Sequence, residues 1–285
     1  MTERLDLGQA TPAVAALQAY MLPVVVSGSA PVRDTRIADP TLDASQALVV
    51  HLESGATLYS KNASTQVPIA SLTKLVSALV VRDHFREDEI VTVASGSVRV
   101  DGQKQTLYAN EHIMVRDLVA MMLVESSNDA AYALADYARS RDLDFVAAMN
   151  TKAHELGMTG CLFKDPAGLD DTAFCTATSL VRLVTAMLHD APELWPVMAT
   201  KALVVHSADG VITHEVTSTD ELLGKLDGIV GGKTGNTDAT LGCLVLVVKL
   251  SGGRGTLAGV VLGSRTRFTD MQALMAWAST AFRFP

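Results

Sequence analysis

Ser71 and Lys74, in the stretch Ser71-Leu72-Thr73-Lys74, place a hydroxyl and an amine three residues apart, a spacing that puts two side chains on one stripe of a helix. A serine hydroxyl is a weak nucleophile at neutral pH unless a base takes its proton, and a lysine at i+3 is within reach to do so. Leu72, Leu75, Val76, Leu79 and Val80 follow the i, i+3, i+4, i+7, i+8 pattern, which predicts a buried face holding this helix rigidly on a core. The N–H groups and partial positive charge at the helix N-terminus stand where an oxyanion would form. Taken alone, S-x-x-K more often describes a capping serine followed by a surface lysine, so the motif needs partners.

Two further motifs supply them. Ser126-Ser127-Asn128 falls between two helical patterns, a tight polar connection that presents a hydroxyl and an amide outward, although a helix N-cap is the simpler explanation of those residues by themselves. Lys233-Thr234-Gly235, followed by Asn236-Thr237-Asp238, precedes an apolar hairpin pattern. There a lysine and a threonine can line a cleft, and Gly235 lets backbone approach a substrate.

In this order, S-x-x-K, S-x-N and K-T-G resemble the signature of β-lactamases and penicillin-binding proteins. The sequence is similar to the serine-type D-alanyl-D-alanine carboxypeptidases, the low-molecular-mass penicillin-binding proteins, over residues 46–284. The resemblance rests on P-I-A-S-L-T-K at 68–74, E-S-S-N-D-A-A at 125–131, the run 154–157, F-K-D-P-A-G-L-D-D at 163–171 and D-G-I-V-G-G-K-T-G-N-T-D-A at 227–239. It implies Ser71 as nucleophile, Lys74 as its base and Ser126 as proton relay to the leaving amine. It also implies that Asn128 holds the substrate amide and Lys74, that Lys233 supplies positive potential, and that Thr234 contacts the terminal carboxylate. The implied oxyanion hole uses the backbone N–H groups of Ser71 and Asn236. Arg265 or Arg267, just past the last strand, would add a carboxylate contact, with Arg265 taken as the candidate. The implied partners are a peptidoglycan stem peptide ending in D-Ala-D-Ala and β-lactam antibiotics as covalent inhibitors; no cofactor or metal is implied.

Three positions depart from that family's pattern: Ser127 where glycine is usual, Asn236 where histidine or tyrosine is usual, and Thr217-Ser218-Thr219 in place of N-x-N. They bear on substrate preference. A class A β-lactamase would carry a glutamate in the loop that here reads Asp165-Pro166-Ala167-Gly168-Leu169-Asp170-Asp171. A P-loop would need glycine at 227, which is aspartate. A DD-endopeptidase remains an alternative, and a catalytically dead wall-binding relative is disfavoured by the intact Ser71, Lys74 and Lys233.

The remaining sequence must position these residues. With 285 residues, 48% hydrophobic and 19% charged, the chain can bury a full core as one large domain or two lobes. The 31 acidic against 23 basic side chains give a net charge of -8, which argues against a phosphate-neutralising surface and so against nucleic acid as the main partner. The three cysteines contain no C-x-x-C pair; a Cys161 to Cys175 bridge is left open. His154-Glu155 and His214-Glu215 lack the second histidine of a zinc-protease helix, and no serine stands in a G-x-S-x-G elbow.

Alternating or continuous apolar runs predict strands at 47–52, 57–60, 90–94, 202–206, 241–250 and 256–262. Spaced apolar residues predict helices at 115–124, 129–138, 145–156, 179–188 and 268–282. The resulting fold class is α/β and β-lactamase/transpeptidase-like: a sheet from N- and C-terminal strands, flanked by helices, with an inserted all-helical lobe over about 85–200. Residues 1–45 are expected to be an arm or linker outside the catalytic domain 46–285, removable with little loss of turnover. They show neither a signal peptide nor a membrane span, and no membrane anchor is evident; an extracytoplasmic location follows only from the substrate.

Overall fold

A computed structural model describes residues 30–99 and 106–285. In chain order the elements are β1 (Val32–Arg33), β2 (Gln46–His51), β3 (Ala56–Lys61), a 3-10 turn (Ala70–Thr73), α1 (Lys74–His84), β4 (Ile90–Thr92) and β5 (His112–Met114). Next come α2 (Val115–Val124), α3 (Asn128–Arg139), α4 (Phe145–Glu155), α5 (Ala177–Asp190), α6 (Leu194–Met198), β6 (Ala202–His206) and β7 (Thr213–Thr217). The chain closes with β8 (Ile229–Thr237), β9 (Leu241–Lys249), β10 (Thr256–Ser264), α7 (Arg267–Ala281) and β11 (Phe282–Arg283).

Five of the strands form one antiparallel sheet in the order β3-β2-β10-β9-β8. The near-continuous apolar runs of β9 and β10 are explained by burial on both faces. Val49, Leu244, Leu246, Val248 and Val261 pack with Met271, Leu274 and Met275 of α7 on one face, whereas Leu48, Val50, Val245, Val247 and Val260 face the helices on the other. That alternation is the period-two geometry of a strand. α1 is buried from Lys74 through Val81, so the helix carrying the candidate base is the central strut of the molecule.

The fold is the expected mixed α/β architecture, with three local differences. The inserted lobe is not all helical, because β4 and β5 pair through Val91↔Ile113 within it. β6 pairs with β7, an element absent from the sequence expectation even though its His214 and Val216 alternate inward. β8 was also not expected as a strand: Ile-Val-Gly-Gly-Lys-Thr-Gly-Asn-Thr has little β propensity, and its strand conformation comes from pairing with β9.

Residues 30–45, expected as part of an arm, instead pack on the sheet. β1 pairs with β11, Leu42 and Ala44 are buried, and the Trp277 indole N–H donates to Ala38 O at 2.9 Å. The Asp270 carboxylate of α7 accepts from Ala44 N at 2.8 Å, Asp43 N at 3.2 Å and Ser264 Oγ at 2.7 Å. The prolines and small polar residues of this segment look like a linker only because its partners lie more than 200 residues away along the chain, as the separations of 227 and 226 to Asp270 show. Residues 1–29, the rest of that expectation, lie outside the described residues.

Asp270 is buried, so truncating it would strand the Ala44 N–H and the Ser264 hydroxyl, both on buried residues. Asp270→Ala is expected to destabilise the chain by about 3 kcal/mol, read as a lowered urea midpoint at unchanged slope. A midpoint equal to that of the parent chain would show that the 30–45 strap is not held by this carboxylate.

Candidate active site

The 3-10 turn, the α2–α3 junction and the edge strand β8 bring the three motifs together. Ser71 lies in the turn and is partly exposed, whereas Lys74, the first residue of α1, is wholly buried. The Lys74 Nζ stands 2.8 Å from Ser71 Oγ, 2.8 Å from Asn128 Oδ1 and 2.9 Å from Ala167 O. All three neighbours are neutral oxygens. Burial pushes the Lys74 amine well below the ordinary lysine range, and the Lys233 charge adds to the effect while Asp165 opposes it.

The loop supplying the Ala167 carbonyl is organised by one carboxylate. Asp165 Oδ1 accepts from the N–H groups of Ala167 and Gly168 at 2.7 and 2.6 Å, and its Oδ2 from those of Leu169 and Asp170 at 3.0 and 2.8 Å. With its amides tied inward, the loop turns the Pro166 carbonyl onto Ser77 Oγ at 2.7 Å and the Ala167 carbonyl onto Lys74. Gly168 is required here: its φ is +81°, and a Cβ on it would stand 2.0 Å from Ala70 O. A disulfide between Cys161 and Cys175 closes the chain around this loop, and Cys175 bridges to Val67, which leads into the Ser71 turn.

At the second motif the roles divide between neighbouring serines. Ser127 is the N-cap of α3, its side chain accepting from Ala130 N at 3.1 Å. Ser126 is held at a φ of +68°, a strained conformation for a non-glycine residue. Its Oγ accepts from Lys233 Nζ at 2.8 Å. Lys233 is fully buried and also donates to Thr234 O at 3.0 Å. Burial brings its amine down to about 7, with the Asp220 carboxylate holding it up and the Arg267 charge pressing it further down.

Thr234 Oγ1 is hydrogen-bonded to Thr219 Oγ1. A Cβ on Gly235 would lie 2.9 Å from Ile69 O and 3.2 Å from Ser71 N, so the glycine lets the edge strand lie against the backbone of the candidate nucleophile. Asn236 is exposed at the end of β8, and its side-chain oxygen accepts from Arg267 Nη1 at 3.4 Å.

Arg265 does not join the site. Its guanidinium pairs with Asp43 on the strap, whereas the half-buried Arg267 faces Asn236. Two residues separate opposite directions at the start of α7, a distinction that sequence alone could not make. The sequence reading passed over Ser77 and Asp220, and it gave no role to Asp165 or Thr219, although both stand in stretches it compared with related enzymes. Asp165 also stands ahead of a Pro-Ala-Gly turn as a loop-capping aspartate does. Among the described residues, no group of three histidine, cysteine or acidic side chains could hold a metal ion, and no helix is long and apolar enough to cross a membrane.

The arrangement can perform acyl transfer: a hydroxyl beside a buried amine, a second hydroxyl tied to a second lysine, and an unpaired strand edge. The family model Peptidase S11, described as D-alanyl-D-alanine carboxypeptidase, matches residues 33–266. The D-alanyl-D-alanine endopeptidase of Pseudomonas aeruginosa is 33% identical over 261 residues, covering 90% of this chain and 83% of that protein. D-alanyl-D-alanine carboxypeptidase DacC of Escherichia coli is 30% identical over 260 residues, covering 86% of this chain but only 62% of that longer protein. The solved structure of penicillin-binding protein D2 from Listeria monocytogenes in its ampicillin-bound form superposes with a TM-score of 0.74 and 31% identity, covering 86% of this chain and all of that one (100%). A match that spans all three motifs and the sheet that carries them makes this chain a member of the S11 D-alanyl-D-alanine carboxypeptidase family.

Proposed function

We propose that the chain is a penicillin-sensitive serine DD-peptidase that removes the terminal D-alanine from peptidoglycan stem peptides through an acyl-enzyme on Ser71. The observation that carries this reading is the fully buried Lys74 amine, 2.8 Å from Ser71 Oγ and surrounded by neutral oxygens. In its free-base form the amine can take the Ser71 proton as Oγ attacks the carbonyl of the penultimate D-alanine. The backbone N–H groups of Ser71 and Asn236 would receive the developing oxyanion. As the C–N bond breaks, the Ser126 hydroxyl, linked to Lys233, would pass its proton to the leaving D-alanine amine and take one from the Lys74 ammonium, which restores the Lys74 free base. Water then adds to the ester, Lys74 takes its proton, and the ester bond breaks with the proton returned to Ser71.

Lys233, Thr234 and Arg267 would hold the terminal carboxylate, with Arg267 in the place first given to Arg265. Asn128 would position the substrate amide and Lys74, and Gly235 would admit the substrate strand. The catalytic unit in this reading is 46–285 together with the strap 30–45. The substrate places it outside the cytoplasm, and β-lactams, which bind the Listeria relative, would acylate Ser71. The acidic surface is unsuited to nucleic acid.

Two neighbouring activities are separated by specific observations. Multiple turnover of penicillin would need a base for the deacylating water. Asp165 is unsuited to that role because both of its oxygens are engaged by four backbone N–H groups. Endopeptidase action on cross-links is the second reading, favoured by the name of the Pseudomonas relative, and the same carboxylate contacts could serve it.

Mass spectrometry after incubation with benzylpenicillin is expected to show a penicilloyl group on the peptide containing Ser71 that persists for minutes or longer. Ser71→Ala should give no adduct, keep its fold, and lose D-alanine release from a pentapeptide by about 10⁴-fold or more. A cross-linked dimer assayed in parallel separates the two peptidase activities. Rapid penicillin turnover without an adduct would move the chain to the β-lactamases.

A further inference from the structure

Three buried or half-buried basic side chains, Lys74, Lys233 and Arg267, crowd the site, and among the described residues none has a carboxylate within ion-pair distance. Among the described residues, Lys233 donates only to Ser126 Oγ and Thr234 O, and Arg267 Nε is buried without a partner. Such a cluster is unfavourable without a counter-charge nearby. Asp165, which faces Lys74 from the 165–171 loop, is engaged by backbone amides. Glu221, which faces Arg267, is exposed and therefore screened. The Cys243 thiol on β9, also near Arg267, is pushed up by burial to about 11 and stays neutral.

Asp220 remains. It lies three residues after the end of β7 and is 6% exposed; its Oδ1 accepts from Leu222 N at 2.9 Å, and its Oδ2 is buried with no partner among the described residues. Glycine at 232, immediately before Lys233, makes room for it: a Cβ there would stand 3.1 Å from Oδ2. Nothing local requires this carboxylate to be an acid rather than an amide, because an asparagine would serve Leu222 equally well.

Building on the DD-peptidase reading, we propose that Asp220 is a positioning residue, the buried counter-charge that keeps Lys233, and with it Arg267, cationic for a substrate carboxylate. The field of Asp220 acts on Lys233 without direct contact, alongside the opposing field of Arg267 on α7. The sign follows directly. Removing the negative charge makes the Lys233 ammonium easier to deprotonate, so the alkaline limb of acylation, set by Lys233 near neutral pH, must move to lower pH.

The test is the second-order rate of Ser71 acylation by benzylpenicillin from pH 5 to 9, in the full chain and in Asp220→Asn. The variant is expected to lower the alkaline limb by about one pH unit, losing roughly tenfold in rate at pH 8 while staying within about twofold of the parent at pH 5.5. Glu221→Gln should leave the limb in place. If Asp220→Asn does not fold, Asp220→Ser removes the same charge and is read in the same way. An unmoved limb, or an equal loss at every pH as a purely structural role would give, overturns the proposal. Absence of any adduct in the parent chain overturns the DD-peptidase reading and this proposal with it.

Discussion

Everything at the site depends on keeping one amine out of water. A lysine at the surface is an ammonium ion at neutral pH and has no lone pair to offer a serine. Lys74 is wholly buried and meets only the Ser71 hydroxyl, the Asn128 amide oxygen and the Ala167 carbonyl. None of these supplies the negative charge that would fix the proton on nitrogen. Burial without a counter-ion therefore turns an ordinary surface cation into a base.

The remaining architecture maintains that environment. α1 is buried along nearly its whole length, so Lys74 cannot move out toward solvent without disturbing the core on which Leu75, Val76 and Leu79 pack. The 165–171 loop presents its carbonyls inward because Asp165 engages the amides, and Gly168 lets that loop touch the Ser71 turn. β8, as the edge strand, lies against the same turn through Gly235. Lys233 repels a proton from Lys74 while holding Ser126 in place. The two lysines differ in what acts on them beyond burial: the Lys233 charge presses Lys74 further down while Asp165 opposes it, and Asp220 holds Lys233 up against the Arg267 charge.

The legible part of this design was the part carried by spacing and side-chain type. The i, i+3 pair at Ser71 and Lys74, the apolar face of α1 and the continuous runs of β9 and β10 are local patterns, and each appears in the structure as an element of the expected kind. The obscure parts depend on contacts between distant residues. β8 is a strand because β9 pairs with it, not because glycine, lysine and threonine favour one. The 30–45 strap looks like a linker until Asp270 and Trp277 are brought against it. The choice between Arg265 and Arg267 depends on which way the first turn of α7 faces, and Asp220 has no motif at all, since its importance comes from burial beside a charge.

The central claim is that Lys74 is a neutral amine in the resting protein. Carbon-13 NMR of the chain labelled at lysine Cε, with the Lys74 signal assigned by its loss in Lys74→Arg, reads that protonation state directly. The account predicts that the Lys74 signal has the chemical shift of a free amine at pH 7 and moves toward the ammonium value only on acidification. A Lys74 signal that keeps the ammonium shift up to pH 9 would contradict it.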